Sequence, residues 1–195
     1  MRQVKDPMNA KAVFLDRDKT ILLPHGGEKY IYRVEDFFIP ESYIEALRKL
    51  IESGFLLFVV TNQGRIAKGH LTEEDVEELH HCLDLILKYN GVFITKYEFC
   101  PHNPRGSLAP YNVVCGCRKP KTGMIDVICD SRDIHKAGSW MVGDSEIDML
   151  AGRNSGLRTI QVLTGPEYDS RYADFIEIDL VGAVSRILEE DDKSG

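Results

Sequence analysis

"AVFLDRDKT", residues 12–20, decides the fold. Four apolar residues, Ala12 to Leu15, run straight into Asp16-Arg17-Asp18-Lys19-Thr20. An apolar run this short, with no helical period, reads as a fully buried strand that ends on carboxylates. Phe55 to Val60 repeats the pattern before Thr61-Asn62-Gln63-Gly64, and Ser139 to Val142 repeats it before Gly143-Asp144-Ser145. Helical patterns lie between these strands. Glu41 to Ser53 places Ile44, Leu47, Leu50 and Ile51 on one face. Thr72 caps a longer helix whose apolar face is Val76, Leu79, Leu83, Ile86 and Leu87. Ile94 to Phe99, Leu157 to Leu163 and Phe175 to Ile178 read as further strands. Met124 to Asp133, Ile147 to Arg153 and Leu180 to Glu189 read as helices, and Glu190 to Gly195 as a frayed tail. Continuously apolar strands alternating with helices predict a mostly parallel sheet covered on both faces, a three-layer α/β/α architecture. One domain is expected over residues 1–195. In such sheets ligands bind beyond the carboxyl ends of the strands, where the polar clusters fall.

A net charge of −7 argues against wholesale nucleic-acid binding. The longest apolar run, Gly54 to Val60, is too short to span a bilayer, and no N-terminal stretch resembles a signal peptide. A cytoplasmic location is expected by default. No amphipathic stripe is left without a place, so a monomer is expected.

Residues two apart in an extended chain point the same way, so Asp16 and Asp18 share a small volume if the extension continues past the strand. Such a pair repels itself unless a cation intervenes, and a hard ion such as Mg2+ suits oxygen ligands. A bare D-x-D is equally well a pair of solvated loop acids. The five cysteines are an odd count, which argues against a disulfide framework. Cys100, His102, Cys115 and Cys117 form C-x-H, twelve residues, then C-x-C. Three thiolates and one imidazole complete a closed tetrahedral zinc set, with no position open for catalysis. A disulfide or free thiols are the alternatives. Cys82 and Cys129 read as ordinary helix positions.

In this order the clusters resemble the haloacid dehalogenase superfamily of phosphohydrolases, over nearly the whole chain. D-x-D-G-T is matched by Asp16 to Thr20 with Lys19 in place of glycine; the Ser/Thr motif by Thr61; the lysine by Lys119; the acidic pair by Asp144 and Asp148. The resemblance implies a Rossmann-like fold of that superfamily. It implies Asp16 as nucleophile, Asp18 as acid and base, and Thr61 and Lys119 as stabilisers of the phosphoryl oxygens. It also implies Mg2+ held by Asp16, the backbone carbonyl of Asp18, and Asp144. Asp148 is expected to orient Lys119 or to cap the following helix.

"CPHNPRG", "CGCRKPKTGM" and "TNQGRIAKG" are similar to the zinc-loop heptose-bisphosphate phosphatases of that superfamily, which lack a large cap domain. That likeness implies a small phosphorylated sugar as substrate and Arg118 as a recognising residue. It also places His25, Gly26, Asn62, Gln63 and Arg65 against the substrate. Histidinol-phosphate phosphatases, other small phosphomonoesterases and a catalytically silent phospho-ligand-binding domain are the alternatives. Arg17, Lys19, Arg65, Lys68, Arg118, Lys119 and Lys121 all lie on the motif loops. Together they are expected to focus positive potential at one sheet edge. Three departures stand out: Lys19 for glycine, Gly64-Arg65 for Ser-Gly, and Ser145 where lysine is common. If the turn at position 19 needs positive φ, lysine there costs roughly 1 kcal/mol.

Overall fold

A computed structural model describes residues 9–27, 30–165 and 170–193. Ala12–Leu15 form β1, every residue of it buried. Leu23–Pro24 and Phe37–Phe38, β2 and β3, pair antiparallel beside the main sheet. Glu41–Glu52 is α1, Leu56–Asn62 is β4 and Glu73–Tyr89 is α2. Ile94–Cys100 is β5, Gly123–Ser131 is α3 and Trp140–Gly143 is β6. Glu146–Asn154 is α4, Arg158–Val162 is β7, Phe175–Glu177 is β8 and Leu180–Asp192 is α5.

The main sheet has six strands in the order β5-β4-β1-β6-β7-β8, and each neighbouring pair runs parallel. Alternation along β1 sends Val13 and Leu15 to one face, and Ala12 and Phe14 to the other. The first face packs on α1, α2 and α5 through Leu47, Leu50, Leu83 and Ile187. The second packs on α3 and α4 through Met124, Ile128 and Ala151. The expected three layers and parallel sheet are therefore present.

Three elements differ from the expectation. Thr61 and Asn62 are the last residues of β4 rather than loop, because pairing with β5 continues through Asn62↔Cys100. The β2/β3 pair was not anticipated. Two residues per strand are too few to show a period. The C-terminal tail is not frayed as far as Asp192: α5 continues to that residue. Glu190 meets Arg158 at 2.6 Å and Lys193 at 2.7 Å, and Asp191 meets Lys11 at 2.5 Å. Ser194 and Gly195 lie outside the described residues.

Candidate active site

The carboxyl ends of β1, β4 and β6 bring Asp16, Thr61 and Asp144 to one edge of the sheet. Lys119 enters from the loop before α3, pinned by a reciprocal pair of bonds. The Asn62 amide donates to the Lys119 carbonyl at 3.1 Å and its oxygen accepts from the Lys119 N–H at 3.0 Å. The Asn62 amide is thus engaged with the Lys119 backbone, and the residue also lines the cleft beside Asp18.

The buried Lys119 ammonium reaches Asp16 Oδ1 at 2.6 Å, the Val60 carbonyl at 2.6 Å and Asp148 Oδ1 at 2.7 Å. It donates hydrogen bonds to Asp16 and Val60 and pairs with Asp148 by charge. Asp148 takes both of the alternative roles expected for it. Oδ1 meets Lys119, while Oδ2 accepts from Ser145 N and Oγ at the start of α4. Asp16, Asp144 and Asp148 can place carboxylate oxygens within 4.8 Å of one another. One ammonium does not balance three carboxylates. Burial pushes the Asp16 carboxyl up to about 6 despite Lys119. Burial, then Asp16 and Asp148, push Asp144 up to about 8, against the pull of Lys19 and Lys119. An all-oxygen set carrying excess negative charge fits a hard divalent cation.

Asp18 is built differently. Its carboxylate is held side-on by its neighbour Arg17, Nε to Oδ1 at 2.7 Å and Nη2 to Oδ2 at 3.2 Å. Gln63 Nε2 donates to the same Oδ2 at 3.3 Å and to Thr61 Oγ1 at 2.9 Å. Arg17 is wholly buried. It therefore does not belong to the open positive edge expected from the sequence. A buried guanidinium must be paired, and its carboxylate partner lies one residue away. Its remaining contact, Nη1 to His80 Nε2 at 3.1 Å, reaches α2. Burial, then Arg17, hold His80 down at about 3, against the pull of Asp18, so the imidazole is neutral. His80 was missed in the sequence, although its spacing from Val76 and Leu83 put it on the helix's buried face.

Lys19 has φ 63°, the left-handed conformation that favours glycine. Its N–H donates to the Leu22 carbonyl at 2.7 Å and its carbonyl accepts from Thr164 Oγ1.

A cleft of about 240 Å³ opens beside Asp18, lined in part by Tyr30, Gln63, Arg65, Lys68, Asn103 and Arg118. Gly64 permits this crowding, because a Cβ there would stand 2.9 Å from Arg118 Nη1. The Arg65 guanidinium lies 3.3 Å from the centre of the Tyr30 ring and so ties the 30–32 segment to the loop after β4. His25 and Gly26 are not among the residues lining this cleft, and His25 packs on Phe38 with ring centres 5.2 Å apart. Glu28 and Lys29, just after Gly27, lie outside the described residues.

Cys100, the last residue of β5, converges with His102, Cys115 and Cys117, their ligand atoms within 4.8 Å of one another. The three sulfurs are 3.2 to 3.6 Å apart, well beyond a disulfide bond. Burial, then the contact with Cys117, push the Cys100 thiol up. A soft donor set of three sulfurs and one imidazole nitrogen is the chemistry zinc selects. The loop docks on Ala67, whose carbonyl accepts from Ser107 N at 2.8 Å and Leu108 N at 2.9 Å. Gly106 passes so close that a Cβ would stand 2.4 Å from that carbonyl.

Residues 116–181 match a family model described as HAD-hydrolase-like. The chain is 40% identical over 160 residues to the D-glycero-beta-D-manno-heptose-1,7-bisphosphate 7-phosphatase of Haemophilus ducreyi, a match covering 81% of this chain and 86% of that protein. It is 41% identical over 155 residues to the enzyme of the same name from Escherichia coli strain K12, covering 79% and 80%. The fold is shared with D,D-heptose 1,7-bisphosphate phosphatase from B. bronchiseptica, solved with magnesium and phosphate. The TM-score is 0.78 at 24% identity, over 92% of this chain and 99% of that one.

Proposed function

The chain belongs to the D-glycero-beta-D-manno-heptose-1,7-bisphosphate 7-phosphatase family of HAD-like hydrolases, and from that membership we propose that it removes the 7-phosphate of a heptose 1,7-bisphosphate. It is a phosphoric monoester hydrolase. The observation that carries the reading is Lys119, buried between Asp16 and Asp148 at the end of β1, beside the partly open Asp18.

Asp16 attacks phosphorus as the nucleophile, forming a carboxyl O–P bond as the sugar oxygen leaves. Asp18 gives its proton to that oxygen, then takes one from the water that attacks the aspartyl-phosphate; the water's oxygen leaves with phosphate and Asp16 is regenerated. Thr61 and Lys119 stabilise the equatorial oxygens of the transferring group. Asp16, Asp144 and the Asp18 carbonyl would hold Mg2+, which when bound offsets the negative charge of carboxylates and phosphate. Cys100, His102, Cys115 and Cys117 would hold a structural Zn2+ that orders the loop carrying Arg118 and Lys119. Arg118 and Arg65, at the cleft, suit the second phosphate as planar donors. Gln63 and Asn62 line the same cleft, Asn62 also holding the Lys119 backbone, while His25 and Gly26 lie outside its lining and are assigned no contact with the sugar. We take the chain to act as a single-domain monomer in the cytoplasm, and no helix among the described residues is long and apolar enough to cross a membrane.

Phosphate release is the test, measured with Mg2+ on heptose bisphosphate beside a panel of phosphomonoesters. Asp16→Asn should abolish turnover. Full activity in that variant, or a preference for histidinol phosphate over every sugar bisphosphate, would defeat the proposal.

A further inference from the structure

We propose that Arg17 and His80 form a buried positioning relay that fixes the carboxyl of Asp18 for proton transfer to the leaving oxygen. The inference rests on the reading of Asp18 as acid and base.

The geometry is over-determined for a surface acid. Asp18 retains a third of its side-chain exposure, while the Arg17 that grips it has none. Arg17 is permanently charged, so burying it is costly unless every face of the guanidinium is matched. Two of its nitrogens meet Asp18, and the third donor named, Nη1, ends on His80 Nε2. That bond requires Nε2 to accept, which a protonated imidazole cannot do. The neutral state favoured by burial satisfies it and leaves the ring proton on Nδ1. His80 is itself fixed, stacked on Tyr97 with ring centres 5.0 Å apart and edge-on to Phe99 at 5.8 Å. The relay runs from the aromatic wall of β5 through α2 and Arg17 to the partly exposed carboxyl.

It also distinguishes the two oxygens of that carboxyl. Oδ2 accepts from Arg17 Nη2 and Gln63 Nε2, which occupies both of its lone-pair directions. Oδ1 accepts only from Arg17 Nε among these contacts. Oδ1 is therefore the oxygen that carries the transferred proton: the O–H bond at Oδ1 breaks as the sugar oxygen takes the proton. Arg17 touches no reacting atom in this scheme.

A relay that only supports the fold and one that aims an acid predict different substrate dependence. The value of kcat/KM reports steps up to the first irreversible one, here phosphoryl transfer to Asp16. A sugar alkoxide needs a proton to leave, and p-nitrophenolate does not. With Mg2+ present, Arg17→Met should lower kcat/KM on the heptose bisphosphate by about a hundredfold or more, the size of a lost general acid, and on p-nitrophenyl phosphate by less than about tenfold. His80→Phe, which removes the acceptor but keeps a flat ring, should show the same split at smaller size. His80→Gln, which can still accept from Nη1, should regain most of the loss. Equal losses on both substrates, or no loss on either, overturn the relay. If Arg17→Met does not fold, the His80 pair decides alone. Asp18→Asn run beside them isolates the premise. No split in that variant removes the acid role of Asp18 itself, whereas a split there but not in the Arg17 and His80 variants removes only the relay.

Discussion

Lys19 occupies a backbone conformation that glycine adopts freely and lysine does not, at φ 63° directly after Asp18. The motif made that turn legible in the sequence, and with it the cost of the departure. Lys19→Gly should raise stability by about 1 kcal/mol, less the extra entropy glycine gains on unfolding. Denaturant midpoints read this directly, and a destabilised variant would mean that the side chain repays its strain, for instance through its pull on Asp144. Asp148 was legible only as two alternatives, because one residue can serve two partners from two oxygens and no spacing shows that. Asp148→Asn keeps an oxygen able to cap α4 but removes the charge facing Lys119. We expect a stability change under about 1 kcal/mol beside at least a tenfold fall in kcat/KM. Comparable activity would show that Asp16 alone suffices to place the ammonium. The Arg17–His80 contact was not legible at all, since the two lie 63 positions apart and meet only once α2 packs on the sheet.

At the scale of elements, strands and helices were legible where one face is continuously apolar, as in β1, α1 and α2. They were misjudged where ends depend on distant charges. The last turn of α5 carries only acids in sequence, yet Lys11 before β1 and Arg158 at the start of β7 meet them. The loop between β5 and α3 was read from its cysteine spacing alone, and the four donors do converge. This loop rests on Ala67, while Lys119 is also pinned by Asn62, so the proposed zinc would bear most on the stretch between Cys100 and Arg118. The native protein should carry about one zinc per chain by elemental analysis, and Cys115→Ser with Cys117→Ser should lose it. The same double variant should melt lower and lose phosphatase activity although no catalytic group is altered. Unchanged melting without metal would make the loop self-supporting.

Over the whole molecule, parallel β1, β4 and β6 deliver acids and a hydroxyl to one edge, and three carboxylates, Asp16, Asp144 and Asp148, crowd together where the proposed function puts a phosphate. That conflict makes stability depend on pH and cation together. Asp16 and Asp144 rise from an ordinary 3.8 to about 6 and about 8 in the folded protein. Between those values the metal-free folded state holds protons that the unfolded chain has released, so their contribution is full below about pH 4 and is lost as pH rises toward 8. His80 acts in the opposite sense. Held neutral at about 3 against an ordinary 6.5, it lowers stability as pH falls through that window, because the unfolded chain takes up the proton first. Mg2+ held as proposed would compete with protons for Asp16 and Asp144 and so relieve only the alkaline loss. The rise in Tm on adding Mg2+ should therefore be larger at about pH 8 than at about pH 5.5, and Asp144→Asn should shrink it at the higher pH. A gain that is equal at both pH values, or that survives Asp144→Asn, would place the cation elsewhere than at the ends of β1 and β6.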